Sequence, residues 1–343
     1  MNVNKDMSTR PEILVNVTRG ALIESRHYGH ISVVDNKGVI IASVGDPFYR
    51  TYMRSAAKPL QTMAVVLSGA ADRFQLSESE LAVMSASHYG EPCHQEAVRS
   101  ILVKIGCKLE DLLCASAYSI NHDYAIKEAL KGNNNSPLYN DCSGKHAGML
   151  AVCKHKGWDT SNYLNEDHPL QKYIVEIIAM MCDVKPDEIN IATDGCGAPV
   201  HGIPLYNMAL AFARFANPDE LGQQEAKACQ RIYDAMVKNP IMISGVEGFC
   251  TQLIKHANGK LIGKVGAEAV YVVGIKKYRL GVAIKLEDGN LSRIAPAVVQ
   301  TLKELKVLDD QELNNLSQFL VIENKNKHGN VVGEIFPGFA LWT

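Results

Sequence analysis

Between residues 13 and 45 the chain alternates Val/Ile-rich stretches with turn signals. Asp35-Asn-Lys-Gly38 sits where a tight hairpin needs residues that tolerate left-handed backbone, so this segment predicts strands. From Ala56 to Leu67 the pattern becomes that of an apolar helix, with Pro59 in the first turn, where its missing N–H costs little. Ser55 and Lys58 therefore stand at a helix entrance. Helical periodicity continues over residues 78–85, 94–104, 147–154, 169–182, 205–215 and 220–237, with a break at Asn217-Pro-Asp219 between the last two. Asn133-Asn-Asn135 marks a loop, and no internal repeat or low-complexity tract interrupts the pattern. After Asn258-Gly259 the β-branched runs return: residues 260–286 predict antiparallel strands punctuated by Gly and Lys/Tyr/Arg turns. A helix over 295–303 and a late strand over 331–335 complete the pattern. Strands at both ends around a helical middle predict one α/β (α+β) unit over residues 1–343, its antiparallel sheet built from both chain ends. A helical subdomain is expected over about 59–250.

Composition narrows the partners more than the fold. At 343 residues the chain lies just beyond the roughly 250–300 residues at which single cores stop growing. Its 47% hydrophobic and 21% charged residues suit a soluble globular protein. A formal charge of -2 gives nucleic acid and anionic membrane nothing to attract, so a small-molecule substrate is the expected partner. Residues 1–15 contain no apolar core of signal-peptide length and no segment reaches a membrane span, which places the expectation in the cytoplasm. Nine cysteines, odd in number and scattered, predict reduced thiols and no disulfide framework.

The chemistry gathers in a few short motifs. In Ser55-Ala-Ala-Lys58 the three-residue spacing puts a hydroxyl and an amine on one helix face, as a nucleophile and its base require. A desolvated Lys58 could then accept the Ser55 proton. By itself S-x-x-K is short enough to arise by chance, with Ser as a cap and Lys facing water. Ser85-Ala-Ser87 and the late Lys264-Val-Gly266 change its weight, because the three follow the order used by penicillin-recognising enzymes and related glutaminases. Val265 stands where the lactamase pattern has Thr, and no S-D-N tripeptide is present, which argues against β-lactam cleavage. A second cluster, Asp141-Cys142-Ser-Gly-Lys145-His146, and a Gly-rich turn, Asp194-Gly-Cys196, supply soft and nitrogen donors. On chemistry alone Cys142, His146 and Cys196, with Asp194, read as zinc ligands, without the C-x2-C pairs of a structural zinc motif.

Taken together, RSAAKPLQ (54–61), SASHYGEP (85–92), DCSGKHAGML (141–150), TDGCGAPV (193–200) and KVGAEAV (264–270) resemble the asparaginase II family of thermolabile, Rhizobium-type L-asparaginases. The resemblance spans nearly the whole chain. It implies a fold similar to serine β-lactamases and glutaminases, hydrolysis of L-asparagine to L-aspartate and ammonia, and a homodimer. Carried over by motif, it implies Ser55 with Lys58 as nucleophile and base, and Ser87 with Lys264 as a second Ser-Lys pair. It also replaces the zinc set by Cys142, Lys145 and Cys196, leaving His146 near the substrate. Arg54, Asp194 and Glu268 resemble family positions around the pocket, where opposite charges would recognise the α-carboxylate and α-ammonium of a free amino acid. Roles within the two Ser-Lys pairs are open to interchange. Three other outcomes stay open: a glutaminase, since one methylene is worth only about 1–3 kcal/mol of discrimination; a β-lactam hydrolase; and a zinc-dependent amino-acid binding protein.

Overall fold

The computed structural model describes residues 9–133 and 135–341. Part of the expectation about residues 1–15, and the middle residue of the expected Asn133–Asn135 loop, lie outside the described residues. In chain order the strands are β1 (Glu12–Arg19), β2 (Leu22–Asp35), β3 (Ile40–Val44), β4 (Arg50–Tyr52), β5 (Asn190–Thr193), β6 (Pro199–Pro204), β7 (Leu261–Gly266), β8 (Val270–Ile275), β9 (Leu280–Leu286), β10 (Ile322–Lys325) and β11 (Val331–Pro337). The helices are α1 (Lys58–Leu67), α2 (Ala70–Arg73), α3 (Glu78–Met84), α4 (Pro92–Ile105), α5 (His122–Leu130), α6 (Ser143–Lys156), α7 (Pro169–Cys182), α8 (Leu205–Ala216), α9 (Gln223–Lys238), α10 (Ile241–Ser244), α11 (Phe249–His256), α12 (Ile294–Glu304), α13 (Asp310–Asn315) and α14 (Ser317–Leu320). The chain divides into a sheet unit, Met1–Met53, Ile203–Glu220 and His256–Thr343, and a helical unit, Arg54–Gly202 and Leu221–Lys255.

In the sheet unit the strands run β10-β11-β1-β2-β9-β8-β7, with β3 also paired to β2, and every pairing is antiparallel. The sheet is therefore built from both chain ends, as the pattern of β-branched runs predicts. Every residue of β8 is buried, which requires cover on both faces, and α8 and α12 both pack against it. Helix α8 is apolar along Leu205, Met208, Ala209, Phe212, Ala213 and Ala216, a spacing that turns one face to the sheet. It lies very close: a Cβ added at Gly281 would meet the Ala209 carbonyl oxygen at 1.8 Å. Only glycine permits that approach.

The helical unit is organised around α1, whose residues from Lys58 to Val65 are all buried. It packs against α3, α6, α7 and α9, so even its three polar residues, Lys58, Gln61 and Thr62, are enclosed. Helix α6 begins at Ser143, one turn earlier than the periodicity from Ala147 suggests, because Ser-Gly-Lys-His carries no apolar stripe. Gly144 lets that first turn rest on α3, where a Cβ would come within 2.2 Å of the Val83 carbonyl oxygen. The hairpin β5–β6 and helix α5 are additions to the sequence expectation. Four- to six-residue strands are too short for an alternating pattern to stand out.

Candidate active site and metal centre

Ser55 is half-buried in a single 3-10 turn, Arg54–Ala57, immediately ahead of α1. Arg54 enters that turn with φ 52°, a left-handed conformation uncommon outside glycine and concentrated at functional sites. Its guanidinium Nε donates to Asp194 Oδ1 at 2.8 Å, which ties the entrance of α1 to the β5–β6 turn. That same oxygen accepts the Gly195 N–H at 2.8 Å, and Asp194 N–H donates to the Ala198 carbonyl at 2.8 Å. The two residues expected to grip the ends of an amino acid are thus paired with each other across the turn that carries Cys196.

Lys58, 1% exposed, turns its donors onto Ser87 Oγ at 3.2 Å, the Asp141 carbonyl at 3.0 Å and Asp141 Oδ2 at 3.3 Å. Burial alone would pull this ammonium down, but the Asp141 carboxylate and the charge of the Cys142–Cys196 pair outweigh it and raise its pKa above the ordinary lysine value. Ser87 is held by its own backbone, whose N–H donates to the Ile243 carbonyl at 3.0 Å. Ser85, the other serine of that motif, is a packing residue: fully buried, it donates to Thr62 Oγ1 at 3.0 Å.

The second cluster closes around Cys196. Lys145 Nζ donates to Cys196 Sγ at 3.0 Å, and the Cys142 thiol shares a hydrogen bond with the same sulfur. One proton serves two sulfurs. Donation from Cys142, helped by the Lys145 ammonium, holds Cys196 as a thiolate far below the usual thiol range, while Cys142 is pushed well above it. Lys145 is raised in turn: burial works against its charge, but the two sulfurs win. Tyr163 ties down His146. Its hydroxyl accepts the Leu113 N–H at 3.0 Å and lies 2.7 Å from His146 Nδ1, which leaves the phenolic proton for Nδ1 and the imidazole proton on Nε2. Burial lowers the His146 pKa below the ordinary histidine value, with the neighbouring Cys196 opposing.

Two buried ring nitrogens beside this cluster, both those of His201, have no hydrogen-bond partner among the described residues. His201, on β6, is fully buried; that burial and the nearby Lys145 charge lower its pKa to about 4. Native interiors rarely orphan polar atoms without a bound water or ion to satisfy them. Two thiol sulfurs and an amine 3.0 Å from one of them fit a soft divalent cation held by Cys142, Lys145 and Cys196.

Two further histidine constellations have other roles. Glu91, Cys93 and His94 bring three metal-capable atoms within 4.8 Å of one another. Both His94 nitrogens are engaged, however: Nδ1 accepts the Glu91 N–H at 3.1 Å and Nε2 donates to the Ile241 carbonyl at 3.0 Å. That histidine caps α4. His88 lies 2.9 Å from Ser143 Oγ, a geometry that invites a Ser-His reading. Its Nδ1 accepts the Gly90 N–H, so its Nε2 is the donor and has no lone pair to take a proton from Ser143.

Lys264 and Glu268 belong to the sheet unit. Lys264, in β7, is fully buried and donates to the Val265 carbonyl at 2.7 Å, and Glu268 is exposed in the β7–β8 turn. Tyr163, His88 and His201 are functional-site residues without a sequence expectation, and Asp141 has no role of its own there. Asp141 was within reach, sitting inside the DCSGKH block, whereas nothing local marks Tyr163 or His201. None of the nine cysteines forms a disulfide. No helix among the described residues is long and apolar enough to cross a membrane.

The family model described as L-asparaginase II matches residues 15–337. No curated relative matches the chain. Among solved structures it is similar to a β-lactamase from Mycobacterium bovis, at 13% identity and TM-score 0.39 over 85% of this chain and 92% of that one. A putative β-lactamase from Bacteroides dorei gives 15% identity and TM-score 0.40 over 80% and 93% of the two chains. Simvastatin synthase from Aspergillus terreus gives 12% and 0.39 over 85% and 90%.

Proposed function

Since the chain belongs to the L-asparaginase II family and is an asparaginase-type amidohydrolase, we propose that it hydrolyses the side-chain amide of L-asparagine to L-aspartate and ammonia. The observation that carries the reading is the buried Lys58 amine, one helix turn after Ser55 and 3.2 Å from Ser87 Oγ. In this reading Ser55 Oγ attacks the amide carbon and its proton passes to Lys58. The C–N bond then breaks, the departing nitrogen takes a proton from Lys58 or Lys264 and leaves as ammonia, and Ser55 retains a β-aspartyl ester. Water adds to the ester carbon, giving up its proton to the lysine; the bond from that carbon to Ser55 Oγ then breaks, Ser55 takes the proton back from the lysine, and L-aspartate is released. Ser87 and backbone N–H groups at the start of α1 would stabilise the oxyanion. Arg54, Asp194, His146 and Glu268 are the substrate-binding residues of this scheme.

The ion fitting Cys142, Lys145 and Cys196 is zinc in this reading, and its charge would offset that of the sulfurs, which hold Lys145 protonated and, with Asp141 first, hold Lys58 protonated. The rest is done by the chain. Asp141 fixes the Lys58 amine, Tyr163 fixes the His146 ring, and the Arg54–Asp194 pair fixes the turn beneath Cys196. The same reading makes the protein a cytoplasmic homodimer.

Ammonia release from L-asparagine and L-glutamine at equal concentration tests the assignment, with Ser55→Ala as control. Release from asparagine, little from glutamine and a loss of at least ~1000-fold in S55A are expected. Dominant release from glutamine would move the chain to a glutaminase. An undiminished S55A would remove Ser55 as nucleophile, and binding of asparagine without ammonia release would favour an amino-acid binding protein.

A further inference from the structure

Strands β7 and β8 are joined by Ala267-Glu268-Ala269, and two consecutive residues of that turn are left-handed, Glu268 at φ 59° and Ala269 at φ 54°. Turns with this backbone ordinarily take Asn-Gly, because a Cβ resists positive φ. Here a glutamate and an alanine occupy both positions, so something outside the turn must hold them there.

The holder is Lys285. It lies on β9 opposite Val270, the first residue after the turn, and is 6% exposed. Its Nζ donates to the Glu268 carbonyl at 2.6 Å and to the Leu286 carbonyl, and the Leu286 N–H donates back to the Ala269 carbonyl at 3.1 Å. A buried cation thus gathers the carbonyls of the turn and of the strand beside it. Burial lowers the Lys285 pKa, and Glu268, Asp288 and Glu287 oppose that shift, so the ammonium has acidic neighbours to sustain it. The Glu268 side chain then runs over Gly289, where an added Cβ would stand 2.4 Å from Oε2. A glycine at that place leaves room for the carboxylate.

We infer that Lys285 is a positioning residue for substrate recognition: by fixing the left-handed Glu268–Ala269 turn, it sets where the Glu268 carboxylate meets the α-ammonium of the amino-acid substrate. The inference rests on the reading of Glu268 as a substrate-binding residue, and the two fail differently. The experiment is steady-state kinetics of the full-length, zinc-supplied protein with L-asparagine for K285M, K285R, E268Q and the double variant E268Q/K285M, each with a thermal melt. K285M is expected to raise KM about tenfold and change kcat less than about threefold, as E268Q does. The double variant should be no worse than E268Q, since both changes remove one interaction. K285R, which keeps donors and charge, should recover most of the loss. A wild-type KM in K285M beside a raised KM in E268Q would overturn the positioning role and leave the Glu268 reading standing. A wild-type KM in E268Q would overturn both. Should K285M fail to fold, K285Q, with an amide NH2 and no charge, is read by the same two KM outcomes.

Discussion

Cys196 is the residue on which the helical unit concentrates its charge. It accepts from Lys145 and Cys142, and a hydrogen bond with the His146 ring lowers its pKa further. Replacing it by serine removes the one sulfur held as a thiolate, the form that binds a metal. In C196S, zinc affinity is expected to fall more than ~100-fold, read as metal content after dialysis against a competing chelator. Full retention of zinc would remove Cys196 from the ligand set. At this scale the sequence was informative where chemistry is packed into contiguous blocks. Arg54, Ser55 and Lys58 share one motif, and Asp141, Cys142, Lys145 and His146 another. Tyr163 and His201 escaped because their relation to the cluster exists only once α6 and β6 are placed, and a tyrosine or histidine in an ordinary run advertises nothing.

At the scale of elements, the first turn of α3 shows how a short helix is fastened. Ser77 and Glu80 form a capping box in which Ser77 N–H donates to Glu80 Oε2 at 2.6 Å and Glu80 N–H donates to Ser77 Oγ at 3.3 Å. The same carboxylate reaches α4, accepting from Ser100 Oγ at 2.7 Å and Lys104 Nζ at 2.7 Å. Burial would raise the Glu80 pKa, but the bonds from Lys104, Ser100 and Ser77 prevail and bring it below the ordinary value of 4.5. A carboxylate whose folded pKa is depressed contributes stability that is complete above its unfolded value and disappears as pH falls through the folded one. Glu80→Gln is therefore expected to lower unfolding free energy by about 2 kcal/mol at pH 7, the gap to wild type narrowing below about pH 4.5. Urea melts across that range measure it, and a gap independent of pH would show that the charge contributes nothing. Elements with a strong period or a cap were legible, among them α1, α7, α8 and the strands of 260–286. The hairpin β5–β6 was not, since its pairing of Ile191 with His201 depends on an intervening Gly-rich turn and not on an alternating pattern.

At the scale of the molecule, the sheet depends on its two ends. Strand β1 pairs with β11 through Val15–Pro337, Asn16–Phe336 and Val17–Ile335, contacts that span more than three hundred residues of chain. Such pairings form late, because the loop-closure entropy of the whole chain must be met before they contribute. The β-branched run near the C-terminus signalled a strand, but nothing in it named β1 as the neighbour: register is a property of the assembled sheet. A chain ending at Asn330 would lose β11 and leave β10 without its partner. It would also strip cover from Val15 and Val17, which are buried at 0% and 5% exposure, and turn β1 into an open edge. That truncation is expected to give little soluble protein, and whatever stays soluble should melt at least ~4 °C below the full chain, a shift that a loss of about 3 kcal/mol produces in a protein of this size. A truncated chain with undiminished yield and an unchanged melting temperature would mean that β11 only decorates the edge, and that the sheet closes on β1 without it.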